Sequence, residues 1–127
     1  MLAKPVIAIV FGAFMLCAET CLHADSWLHV RTQWPDLPLH DWAAGGFLFI
    51  AGIASQRDWS GRWPYQATAW GFMLSLLIGA LFGHFADWLS PPDTVDWFSE
   101  GTFVILIAAL TVVAFGATLA TLSRRSS

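Results

Sequence analysis

Charged residues punctuate this chain and leave long apolar runs between them. Trp63 to Ala86 and Gly101 to Ser123 contain no Asp, Glu, Lys or Arg, and each exceeds the ~20 residues that an α-helix needs to cross the hydrocarbon core of a bilayer. Both predict transmembrane helices. Residues 5–18 and 42–55 are uncharged as well, but each stretch covers only about 14 residues, a length shared by buried core helices and signal-peptide h-regions. Their flanks extend them. Pro38 suits the first position of a helix, where its missing N–H is not needed, and Leu39, His40 and Asp41 then supply the first turn. The pattern predicts an all-α polytopic membrane protein, a single membrane domain over 1–127. Its four-helix transmembrane bundle has spans at about 5–23, 38–56, 63–86 and 101–123.

The first span has a competitor, a cleaved secretory signal peptide. Lys4 would be a minimal n-region, Val6 to Ala18 the apolar run, and Leu22-His23-Ala24 the cleavage site. A single lysine and the nearby Glu19, Cys21 and His23 argue against it. A lipoprotein signal fails, because Leu16 and Thr20, not small residues, precede Cys17 and Cys21. Between the first two spans, Ala24 to Leu37 mixes Trp27, Leu28, Val30 and Trp34 with polar residues and reads as an amphipathic surface turn that Pro35 ends. Ser90-Pro91-Pro92-Asp93 breaks the third helix.

Composition supports the lipid reading. Of the 127 residues, 57% are hydrophobic and 12% charged, and the mean hydropathy is +0.60, far from ordinary soluble usage. The net charge is −3 and the basic residues are scattered, so nucleic acid is excluded as a partner and no polybasic tract addresses anionic lipid. The expected partners are the lipid bilayer and either other membrane subunits or a second copy of the chain.

Orientation follows from the positions of the cations. Lys4, Arg57, Arg62, Arg124 and Arg125 fall on the side shared by the two termini and the second connection, and only Arg31 falls opposite. The positive-inside rule then gives N-in and C-in, in a bacterial-type inner membrane. Tryptophan agrees with this. Trp27, Trp34, Trp42, Trp88 and Trp97 would belong to the outer interface, and Trp59 and Trp63 to the inner one. Trp70, inside the third span, needs a partner for its indole N–H or a view of the interface.

Helices in lipid associate through close backbone approach and interhelical hydrogen bonds. Gly71, Ser75, Gly79 and Gly83 make a small-residue stripe on the third helix, and Ala8 and Gly12 make one on the first. Gly45, Gly46 and Gly52 lie in the second. Packing within one bundle is the expected use of these stripes, with a homodimer face as the alternative. Cys17 and Cys21 share a face and read as small apolar packing residues. A CxxxC relay with Met15 for a soft metal is the alternative.

The chemistry sits on the outer side. His23, His29, His40 and His84 all map there, with most of the carboxylates. Glu19 and His23, and Asp25 and His29, are four residues apart, and His84 and Asp87 three, so each pair shares a helix face. The pathway or ligand candidates are Glu19, His23, His40, Asp41, His84 and Asp87. As a metal set, Glu19, His23, His84 and Asp87 offer imidazole and carboxylate donors from facing helices, suited to a divalent metal. Haem would need His84 opposite His23 or His40. The bland alternative is that these histidines satisfy interface hydrogen bonds.

No nucleophile–base arrangement and no Gly-rich phosphate loop is present, so an enzyme is not the leading expectation. The sequence favours a binding or accessory subunit of a membrane assembly. The alternatives are a small proton- or cation-linked carrier using Glu19, and a metal- or haem-dependent membrane enzyme. The orientation is directly testable in a bacterial host. Green fluorescent protein fused after Ser127 should fluoresce and alkaline phosphatase fused there should be inactive; the reverse pair of results refutes the N-in, C-in assignment.

Overall fold

The computed structural model describes residues 3–22, 39–57, 59–90 and 97–123. Within them the chain is helical throughout: α1 (Pro5–Leu22), α2 (Leu39–Arg57), α3 (Trp59–Leu89) and α4 (Trp97–Ser123). His23, Asp25, His29 and the 24–37 connection lie outside the described residues. The 31 residues of α3 extend about 46 Å at 1.5 Å per residue, well beyond a ~30 Å hydrocarbon core. Two helices, over Arg62–Leu89 and Phe98–Ser123, are long and apolar enough to cross a membrane, whereas α1 is apolar but shorter.

Local chemistry explains why polar residues do not interrupt these helices. Thr20, Thr68, Thr102, Thr111, Thr118 and Thr121 each donate the side-chain hydroxyl to the carbonyl four residues earlier. A hydroxyl satisfied in this way needs neither water nor a neighbouring helix. Asp41 stands in the first turn of α2 and Arg57 in its last, both favourable to the helix macrodipole. Pro64 lies inside α3 rather than at its start, because the helix begins before Trp63, the residue at which the sequence placed it.

Neighbouring helices run antiparallel. Along the α1–α2 contact, Gly52 lies against Pro5 and Ile9, and Gly12 against Gly45 and Phe49. At the other end the Trp42 indole donates to Thr20 Oγ1 at 3.1 Å. On α3 and α4, the Trp88 indole covers Gly101. α1 runs parallel to α3 and touches it lightly. There Gln66 Nε2 donates to the Ala3 carbonyl at 3.1 Å, and Phe11 meets Trp70 edge-on with ring centroids 5.1 Å apart. The core gathers Ala8, Phe11 and Met15 with Leu48, Trp70, Met73 and Leu77. The outer surface is apolar: only 11% of the apolar stretch of α4 is buried, and Phe82, Ile105 and Val112 are all about 70% exposed. An apolar helix with so little of its surface covered is consistent with membrane association.

The close contacts differ from those the small-residue pattern suggested. A Cβ added at Gly71, Gly79 or Gly83 would meet nothing within 4 Å, and Ser75 is exposed. The stripe turned inward on α3 is instead Gln66, Trp70, Met73 and Leu77. Bulk decides this, because large side chains gain more dispersion contacts on burial than glycines do. Backbones approach closely at Gly12, where an added Cβ would lie 2.7 Å from both Gly45 O and Phe49 N. Cys17 and Cys21 are exposed free thiols, not the packing residues expected from their apolar surroundings.

Alanine substitution tests the contrast. Gly12→Ala has only backbone to displace and should lose about 1–3 kcal/mol. Gly79→Ala should be neutral or gain up to about 1 kcal/mol from helix propensity. Thermal unfolding in detergent reads both, and equal midpoints for the two variants would refute the assigned α1–α2 crossing.

Candidate functional site

Four helix ends meet at one end of the bundle. α1 finishes there three residues after Glu19, α2 begins two residues before Asp41, α3 ends five residues after His84 and α4 begins three residues before Glu100. A cavity of about 420 Å³ opens beneath this rim, lined by residues of all four helices. Its ionisable lining residues are Glu19, Asp41 and His84, and the remainder are apolar, among them Phe14, Met15, Leu77 and Phe103. A volume of this size falls within the range of small-molecule sites.

His84 is held on two sides. Its Nδ1 makes a short contact with Glu100 Oε1, and its ring stacks on Phe103 with centroids 5.7 Å apart and planes 14° from parallel. With the carboxylate ionised, the ring N–H donates and the carboxylate accepts. If the glutamate carries the proton, its O–H donates to the ring nitrogen. Glu100 is 8% exposed, so the imidazole is a needed partner for a carboxylate shielded from water. Glu19 is partly buried and is not a free carboxylate. Asp41 is partly buried and carries no ion pair among the described residues.

The structure therefore brings together Glu19, Asp41 and His84 from the sequence candidates. It leaves Asp87 and His40 exposed and outside the cavity lining, and His23 lies outside the described residues. Among the described residues no group of three or more His, Cys, Asp or Glu side chains is placed to hold a metal ion. Glu100 was missed as a site residue. Sequence spacing paired His84 with Asp87 on its own helix. The available signal was the hairpin, since the Ser90-Pro91-Pro92-Asp93 break sets the end of α3 beside the start of α4.

Two further polar groups are buried toward the opposite end. Gln66 and Trp70 are both 0% exposed, and Gln66 Oε1 and Trp70 Nε1 have no hydrogen-bond partner among the described residues. Trp70 thus has neither of the environments its sequence position suggested. Between Trp70 and His84, Met73 and Leu77 are buried at 0% and 2% exposure, which keeps this end of α3 apart from the acidic cavity.

No protein-family model matches the chain, and no curated protein or solved structure is significantly similar to it. The functional reading therefore rests on the site itself.

The His84–Glu100 contact can be measured. Glu100→Gln and His84→Ala should each lower stability by about 1 kcal/mol or more, discounted from larger buried-pair values because His84 is partly exposed. A double-mutant cycle should return a coupling of at least about 0.5 kcal/mol, and additive single effects would show that the pair contributes nothing.

Proposed function

We propose that this chain is a small four-span protein of a bacterial-type inner membrane, with both termini inside. In this reading it binds a cation or a proton at the Glu19, Asp41 and His84 end of the cavity, as the binding subunit of a membrane assembly. One observation carries it: ionisable side chains from three helices converge on a single cavity in a chain with only 12% charged residues. Ionisable groups placed in membrane helices are costly, and they characteristically line pathways or ligand sites. The two long apolar helices and the distribution of lysine and arginine support the spans and their orientation.

Binding is favoured over conduction by the dry barrier of Met73 and Leu77, buried between the acidic cavity and the Gln66 end. A second reading, a proton- or cation-linked carrier, is supported by Glu19 on the cavity wall and would require those side chains to move. The metal- or haem-dependent enzyme has the least support from the described residues, where no metal-binding group is found.

Infrared difference spectroscopy on proteoliposomes tests the binding site. Replacing sodium with methylammonium should perturb the carboxylate stretching bands of the wild type, and Asp41→Asn should remove most of that change. A flat wild-type spectrum overturns the reading. Methylammonium uptake separates the carrier from the binding subunit: uptake that falls by about tenfold or more in Glu19→Gln, as loss of a charge-assisted contact implies, supports the carrier. Equal uptake in both proteins removes it.

A further inference from the structure

The cavity is larger and more apolar than a bare ion requires, and it does not stop at its own walls. Phe14 and Leu110, which line its lower part, also line an adjoining apolar groove with Ile7, Val10 and Phe11. This groove runs along α1 beside α4. The two helices flank α3, α1 lightly and α4 closely, and they are not packed against each other as neighbours. The gap between them thus continues from the acidic rim toward the other end of the bundle, with no polar side chain among its lining residues.

The two halves of this space ask for different chemistry in one molecule. At the rim are carboxylates and an imidazole, with no lysine or arginine among the described lining residues. Asp41 carries most of the charge argument, since Glu19 has interactions of its own and His84 is joined to Glu100. Carboxylates only accept hydrogen bonds, so they favour a head group that brings both positive charge and N–H donors. Phe14 and Phe103, which also line the cavity, add apolar surface beside the rim. Below, the apolar groove offers burial to an alkyl chain at a gain that grows with each methylene.

We infer that the groove binds a single-chain amphiphile with a primary ammonium head, its head at Asp41, Glu19 and His84 and its tail along α1 and α4. This assignment deepens the cation-binding reading and rests on it. A fatty acid is disfavoured by repulsion at the rim. A quaternary ammonium amphiphile keeps the charge but lacks the N–H donors.

Calorimetric titration of the full chain in nanodiscs, with empty nanodiscs as the partition control, tests this with dodecylamine, dodecanol, dodecyltrimethylammonium, dodecanoate and methylammonium. Dodecylamine should bind at least about tenfold more tightly than any of the other four, the step expected for one charge-assisted contact or a few buried methylenes. Val10→Trp, which fills the apolar groove outside the cation cavity, should reduce dodecylamine binding toward that of methylammonium while leaving the methylammonium infrared response in place. The wild-type panel is decisive even if that variant does not fold. Dodecylamine binding no tighter than methylammonium, with carboxylate bands that still respond to methylammonium, overturns the amphiphile and leaves the cation site standing. Equal binding of dodecylamine and dodecanol, with silent carboxylate bands, overturns both. Tightest binding by dodecanoate or by the quaternary amphiphile overturns the assigned head group.

Discussion

Where α1 crosses α2, the space beside Gly12 admits a hydrogen atom and little else, because the backbone of Gly45 and Phe49 occupies the position of a side chain. A second such contact occurs where Gly52 meets Pro5 and Ile9. These crossings commit α1 to α2 along most of its length. α4 is committed to α3 through the Trp88 indole over Gly101 and the His84–Glu100 contact. Since α2 also packs on α3, the outer two helices are held by different partners. The gap between them is a consequence of how tightly each is held elsewhere.

The polar groups of the chain divide by how they are satisfied. The threonines of α4 complete their hydrogen bonds within their own helix and leave its outer surface effectively apolar. The carboxylates at the rim have no such recourse, since an acceptor cannot bond to a carbonyl of its own turn. They need a donor from another element, from solvent or from a ligand. Glu100 finds one in His84, and the geometry of the α3–α4 hairpin supplies it. This contrast accounts for how a chain with many hydroxyl side chains concentrates its chemistry at one end.

Much of the helical layout was legible because charge and proline mark where helices stop. All four helices overlie the uncharged runs; Glu19 was recognisable as a costly acid at the end of an apolar run, and Asp41 and His84 as members of a polar group on one side. Glu100 was not, because spacing rules see partners three or four residues apart on one helix and are blind to a contact across a turn. The inward stripe of α3 was misjudged for another reason. Gly71, Gly79 and Gly83 permit close approach, but the neighbours pack on the bulk of Trp70, Met73 and Leu77, about half a turn away on the opposite face of α3. Only the assembled packing resolves that competition. The exposed thiols of Cys17 and Cys21 illustrate the same limit, since an apolar sequence context is shared by residues facing the core and residues facing outward.

Met73 and Leu77 belong to the buried core, and they divide α3 into a half that faces the acidic cavity and a half that ends in Gln66. Access to the cavity past α3 is thereby blocked, while the gap between α1 and α4 stays open along its side. A ligand held there, as proposed, would exchange at the rim and along the gap between α1 and α4. Passage of a cation from one end of the bundle to the other would demand that this pair of side chains yield.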